Sequence, residues 1–182
     1  MNILEIPLIV RIRRNHALEH ATIHVLTQHN PHRRLAGRTT THGFCLYGEV
    51  ETEEVAAAVS EALVRLQRGE HSLAVHPRCG TNLATAGVLA GLSSFVAMSG
   101  RSKTSARLRR GQSRRSVEPS RLAKLPQIIL ATTIAVIAAQ PLGLALQKHV
   151  TTLPEVEGVT IEEITRQERG QVVVHQVRIK SQ

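Results

Sequence analysis

Two stretches without a charged side chain, residues 83–100 and 125–147, bracket the densest run of cations in the chain. The second, 23 residues rich in Ile and Leu, is long enough to cross about 30 Å of hydrocarbon. The first, 18 residues, is filled with Ala, Gly and Ser, a composition that lets helix backbones approach closely. Between them, from Arg101 to Lys124, nine Lys and Arg stand against a single Glu118. Basic residues crowding the ends of apolar segments are the pattern of a cytoplasmic membrane loop. The competing reading is two buried helices of a soluble protein. The cation-rich spacer argues against it.

Charge is local here. Residues 1–80 carry nine Lys and Arg against eight Glu, and residues 148–182 carry five of each sign, so nearly all of the net +9 lies in the spacer. Such a segment suits one contact with an anionic surface. Anionic lipid head groups are the expected partner, at about 1 kcal/mol per basic side chain near the surface. Nucleic acid is disfavoured, since the spacer has no aromatic side chain on which a base could stack. The whole chain has one Tyr, two Phe and no Trp, little aromatic area for a large soluble core. It also has no Asp, so any carboxylate chemistry falls to Glu. Two cysteines, Cys45 and Cys79, beside ten His suit a reducing compartment or a metal site better than a disulfide framework. Arg11, Arg13 and Arg14 follow the first apolar run, the reverse of a secretory signal, and no cleavable targeting peptide is expected.

The remaining chain reads as α+β. Residues 8–28 form a helix ended by Asn30-Pro31. Residues 38–50 form one or two strands. Thr52 is the expected N-cap of a second helix, with Val55, Val59, Leu63 and Leu66 on one face and Gly69 at its end. Residues 72–75 read as a short strand. The tail from Val156 alternates on both sides of Arg169-Gly170, a β-hairpin able to join the N-terminal sheet. The expected organisation is an α+β unit over residues 1–80, apolar segments at 81–100 and 125–147 forming a two-helix membrane hairpin, a basic loop at 101–124, and a hairpin tail at 148–182. A positive loop predicts outer termini. That requires an 80-residue unit to cross, unless the apolar pair is re-entrant.

Chemistry concentrates in two places. His16-Ala17-Leu18-Glu19-His20 puts positions 16, 19 and 20 on one helix face. Two imidazoles can then share a metal while the carboxylate stands beside it, the inverted H-x-x-E-H arrangement, and His24 adds a turn on the same face. Glu19 is the candidate general base. The alternative is a polar, His-rich face. The second place is His76-Pro77-Arg78-Cys79-Gly80-Thr81-Asn82, where His76 and Cys79 have ligand spacing and a thiolate suits zinc. Its alternatives are a loop capping a membrane helix, or a Cys-His nucleophile pair. His42 is a further candidate ligand. His29, His32, His71, His149 and His175 read as structural or exposed.

HALEHATIH, GFCLYGEV, HPRCGTN and QPLGLALQKHVTT together resemble an uncharacterised bacterial membrane family of unknown function, DUF family six-three-nine-one, over most of the chain. More distantly the two His motifs resemble the YqhQ-type predicted metal-dependent membrane proteins, although those carry Gly-Ala where Ala17-Leu18 stand here. What the resemblance implies is a metal site at His16, His20, His76 and Cys79, with Glu19 catalytic. The expectation is a membrane-anchored zinc-dependent hydrolase in the bacterial cytoplasmic membrane. Its rivals are a non-catalytic membrane protein with a structural metal or His cluster, and a basic membrane-surface adaptor.

Overall fold

A computed structural model describes residues 2–99, 124–170 and 172–181. The chain divides into two compact units, Met1–Pro77 with Leu144–Gln182, and Arg78–Gly143. The basic loop, apart from Lys124, lies outside the described residues.

The first unit is α+β. Its helix α1 (Pro7–His29) begins with Pro at a position whose amide has no helical acceptor to lose. Strands β1 (Ala36–Thr40) and β2 (Gly43–Tyr47) form a hairpin. Helix α2 (Thr52–Gln67) follows, and β3 (Val159–Arg169) and β4 (Val172–Ser181) close the chain. All pairings are antiparallel, in the order β1-β2-β4-β3. The tail hairpin thus joins the N-terminal hairpin through β2 and β4, with Phe44 opposite Val177 and Leu46 opposite His175.

The core sits where α1 crosses β1 and β2 and packs against α2. Leu18, Ala21 and Val25 from α1 meet Val55, Val59 and Leu66 from α2 and Phe44, Leu46 and Val177 from the sheet. From Asn15 to Leu26 nearly every side chain of α1 is buried, including Asn15, Glu19, His20 and Thr22. A helix wrapped on all sides has no single apolar stripe. Its polar side chains must therefore find partners inside the protein.

Two local expectations are corrected. Residues 72–75 do not form a strand. His71–Ala74 is a 3-10 turn, and Val75 is extended but unpaired in the sheet. The carbonyls of Ala74 and Val75 go to histidines of α1 instead of a neighbouring strand. Thr52 is not the cap of α2: that place belongs to Glu51, without a side-chain cap bond. The Thr52 hydroxyl is engaged 3.2 Å from Nε2 of His175 on β4, so it ties the helix start to the sheet.

The second unit holds α3 (Gly80–Ser99) and the greater part of α4 (Leu125–Leu146). Ser94 and Thr132 hydroxyls bond at 2.7 Å, Lys124 donates to the Met98 carbonyl, and Gly143 lies against Asn82. Pairs that descend along one helix while they rise along the other mark an antiparallel hairpin. A Cβ at Gly143 would collide with the Asn82 side chain, so the glycine sets the closest approach. Both helices are long and apolar enough to cross a membrane, with mean hydropathy 1.4 over α3 and 2.0 over the continuous helix through Thr151.

Pro141 interrupts α4, and the helix finishes in a π turn, Gln147–Thr151, that belongs to the first unit. Its last carbonyls lack helical donors. Arg13 supplies them from α1, donating at 3.2 Å to the carbonyls of His149 and Thr152. A cation at a helix C-terminus also complements the helix dipole.

Candidate functional site

Four histidines of the first unit gather between α1 and the segment after the 3-10 turn. His16, His20 and His24 recur at intervals of four, one above another on the helix. The His16 and His20 ring centroids lie 4.3 Å apart, nearly edge to face. His76 enters from the other side, 6.1 Å from His20 and 4.9 Å from His24. The separation along the chain, 60 positions from His16 and 52 from His24, is closed by the 3-10 turn packing against α1.

Backbone carbonyls orient the rings. His20 Nδ1 lies 2.8 Å from the Ala74 carbonyl, and His16 Nδ1 lies 3.0 Å from the Thr151 carbonyl. A carbonyl accepts only, so in each neutral ring Nδ1 carries the proton and Nε2 carries the lone pair. In His24 the roles reverse: Nε2 donates to the Val75 carbonyl at 3.0 Å and Nδ1 holds the lone pair. Ring N–H groups anchored on carbonyls are how metal-binding histidines are held in one tautomer. His20 is 2% exposed, so its orientation is fixed by packing as well.

His76 is positioned by a residue that sequence reasoning counted only as the end of an apolar run. Gln147, fully buried, accepts the His76 amide at 2.9 Å through Oε1. An amide closing a 23-residue uncharged stretch was the available signal. Thr151, which anchors His16, is the second such residue, and it acts through its backbone, which no side-chain motif reveals.

The remaining candidates sit differently. Glu19 is buried against β1, where it accepts the Thr39 hydroxyl and packs on Gly37. Any Cβ at Gly37 would strike that carboxylate, so the glycine makes room for a buried acid. His42 is exposed in the β1–β2 turn beside the Thr41 hydroxyl. Cys79 belongs to the other unit, three residues past His76. It forms no disulfide among the described residues, and its sulfur receives the Thr81 amide at 3.4 Å. His175, on β4, is 1% exposed. Burial pushes its pKa below the usual 6.5, and the nearby Arg166 lowers it further. It is a structural histidine paired with Thr52.

Imidazoles oriented in this way suit Zn²⁺ and other borderline divalent ions. A family model described as "Domain of unknown function (DUF6391)" matches residues 11–164. An uncharacterised protein of Picosynechococcus sp. (strain PCC 7002) is 43% identical over 94 residues, covering 44% of this chain and 46% of that protein. The chain therefore spans about half the length of that relative. No solved structure matches.

Proposed function

The chain belongs to the DUF6391 family, and from that premise we propose that it is a membrane-anchored, zinc-dependent hydrolase of the bacterial cytoplasmic membrane. The observation that carries the metal reading is the pair of carbonyl-anchored rings, His16 and His20, with His76 facing them. His16, His20 and His76 are the proposed protein ligands. The likeness of both His motifs to YqhQ-type proteins supports the same set. A divalent ion held there supplies Lewis-acid polarisation of a substrate carbonyl or phosphoryl oxygen. Glu19, the only carboxylate in H-x-x-E-H, is the proposed proton acceptor.

Membrane attachment is supported by the surface of the second unit. Leu83, Val88, Phe95 and Val96 on α3 and Ile129, Leu130, Ile134 and Ile137 on α4 are all more than half exposed. An apolar patch of that kind needs a cover, and lipid is the cover that matches the helix lengths. Both ends of this apolar insert return to one compact unit. An even number of crossings, or a re-entrant hairpin, satisfies that.

One observation favours the second reading, a structural metal site. Glu19 is only 5% exposed and already accepts Thr39. A single experiment separates the two: metal analysis of detergent-purified protein, with His20→Ala and Glu19→Gln beside it. The hydrolase reading expects metal lost in His20→Ala, and metal retained with hydrolysis lost in Glu19→Gln. Metal retained with unchanged hydrolysis in Glu19→Gln leaves the site without its base. A metal-free wild-type protein sinks both readings.

A further inference from the structure

A second site borders the 3-10 turn, within the first unit. A cavity of about 730 Å³ is lined by Arg13, His71, Lys148, His149 and the single acid Glu155, over a floor that includes Val75 and Leu153. Its size is that of a small-molecule site. Its charge is lopsided, with two permanent cations and two imidazoles against one carboxylate. The Arg13 guanidinium spends its hydrogen bonds on neutral carbonyls, those of Leu4, His149 and Thr152, and these do not cancel its charge. Those bonds also hold the guanidinium in place. Lys148 and His149 are exposed and lie in the π turn that finishes α4.

We propose that this cavity binds a phosphate-bearing anion, with Arg13 and Lys148 on the phosphate and the Val75–Leu153 floor against its apolar neighbour. Arg13 brings a charge fixed in place by its carbonyl bonds and Lys148 a mobile point charge, a pairing suited to phosphate. The mixed lining fits a glycerophospholipid head group, whose phosphate adjoins glycerol and acyl carbons, better than a bare ion. A soluble phosphate ester shares the same chemistry. The site stands on its own residues and needs no metal at the histidines. The lipid source alone rests on the membrane reading.

The test uses the full chain in neutral detergent, titrated calorimetrically with inorganic phosphate and, separately, with dihexanoyl phosphatidate. Saturable one-site binding is expected. Lys148→Glu should weaken it about tenfold or more, the scale of one close charge pair. Lys148→Gln should fall between, and circular dichroism of both variants should be unchanged because the side chain is exposed. Arg109, Arg110, Arg114 and Arg115 changed together to Gln should leave it intact. Phosphatidate binding at least about tenfold tighter than phosphate identifies a lipid head group, and equal binding identifies a soluble phosphate ester. No saturable binding of either probe overturns the proposal. So does binding that survives Lys148→Glu but is lost in the four-Arg variant.

Discussion

The two units use their apolar side chains in opposite ways. In the first, Leu18, Phe44, Val55 and Val59 are wholly buried, and even polar residues of α1 are packed inside. In the second, the helices are more apolar on average, yet only about a tenth of each hydropathic window is buried. A water-soluble fold spends apolar area on a core. Unit two spends it on its surface and keeps small or polar residues, Gly143, Asn82, Ser94 and Thr132, for the contact between its helices. Bilayer helices pack this way, because tails and aliphatic side chains are equally apolar and close approach with interhelical hydrogen bonds must hold them together. Composition alone therefore ranks the units wrongly: the more hydrophobic one has the smaller core.

The contrast can be broken most severely in the first unit. Phe44→Ala empties a site with no exposure and should cost about 3–5 kcal/mol, read as a fall in the unfolding midpoint of the water-facing unit. A loss under about 1 kcal/mol would mean that the sheet face is not the core. Next in size is Ile134→Arg at the middle of α4. A charge there should cost about 2.5–3.5 kcal/mol of insertion and shift the protein from the carbonate-resistant pellet to the supernatant. Unchanged pelleting would show that α4 does not meet lipid.

Truncating an exposed apolar side chain should barely register. Phe95→Ala, at a position 64% exposed, should change the stability of the water-facing unit by less than about 0.5 kcal/mol. A cost near that of Phe44→Ala would make α3 a buried helix after all. The smallest effect concerns His175. Its folded pKa lies below the unfolded value, so the unfolded chain binds more protons as pH falls through 6.5. Stability from this group is complete above 6.5 and declines as pH falls below it through the folded pKa. Replacement by Gln should flatten that part of the stability–pH curve, and an unaltered slope would show that His175 does not titrate there.

Much of this was legible in the residues. The uncharged segments, α2 with its stripe of Val55, Val59 and Leu66, and the alternating tail all follow from spacing. The helix face of His16, His20 and His24 was legible as well, since a period of four is local. What stayed hidden is what depends on partners. The residues after His71 resemble a strand, and only the demand of His20 and His24 for carbonyls explains why they pair with a helix. Thr52 has the chemistry of a cap, but His175, 123 positions away, takes its hydroxyl. Gln147 and the Thr151 carbonyl orient site histidines from the far end of α4, and no short motif encodes them. Glu19 is the sharpest case: the pentapeptide sets it beside the imidazoles, while Gly37 and Thr39 give it a second environment that only the tertiary fold supplies.

The sheet order β1-β2-β4-β3 places β4, the latest of these four strands in the chain, in the interior. On the ribosome, β2 emerges more than a hundred residues before β4, its permanent neighbour. At about 5–20 residues per second, the edge of β2 waits for several seconds with its amides and carbonyls unpaired. Meanwhile both apolar segments leave the exit tunnel. A chain stopped before Val172 has all four helices and both early strands but lacks the ladder that joins the two hairpins. Truncation from the C-terminus should consequently be felt by the whole first unit at once, as an unfinished sheet with an open, aggregation-prone edge.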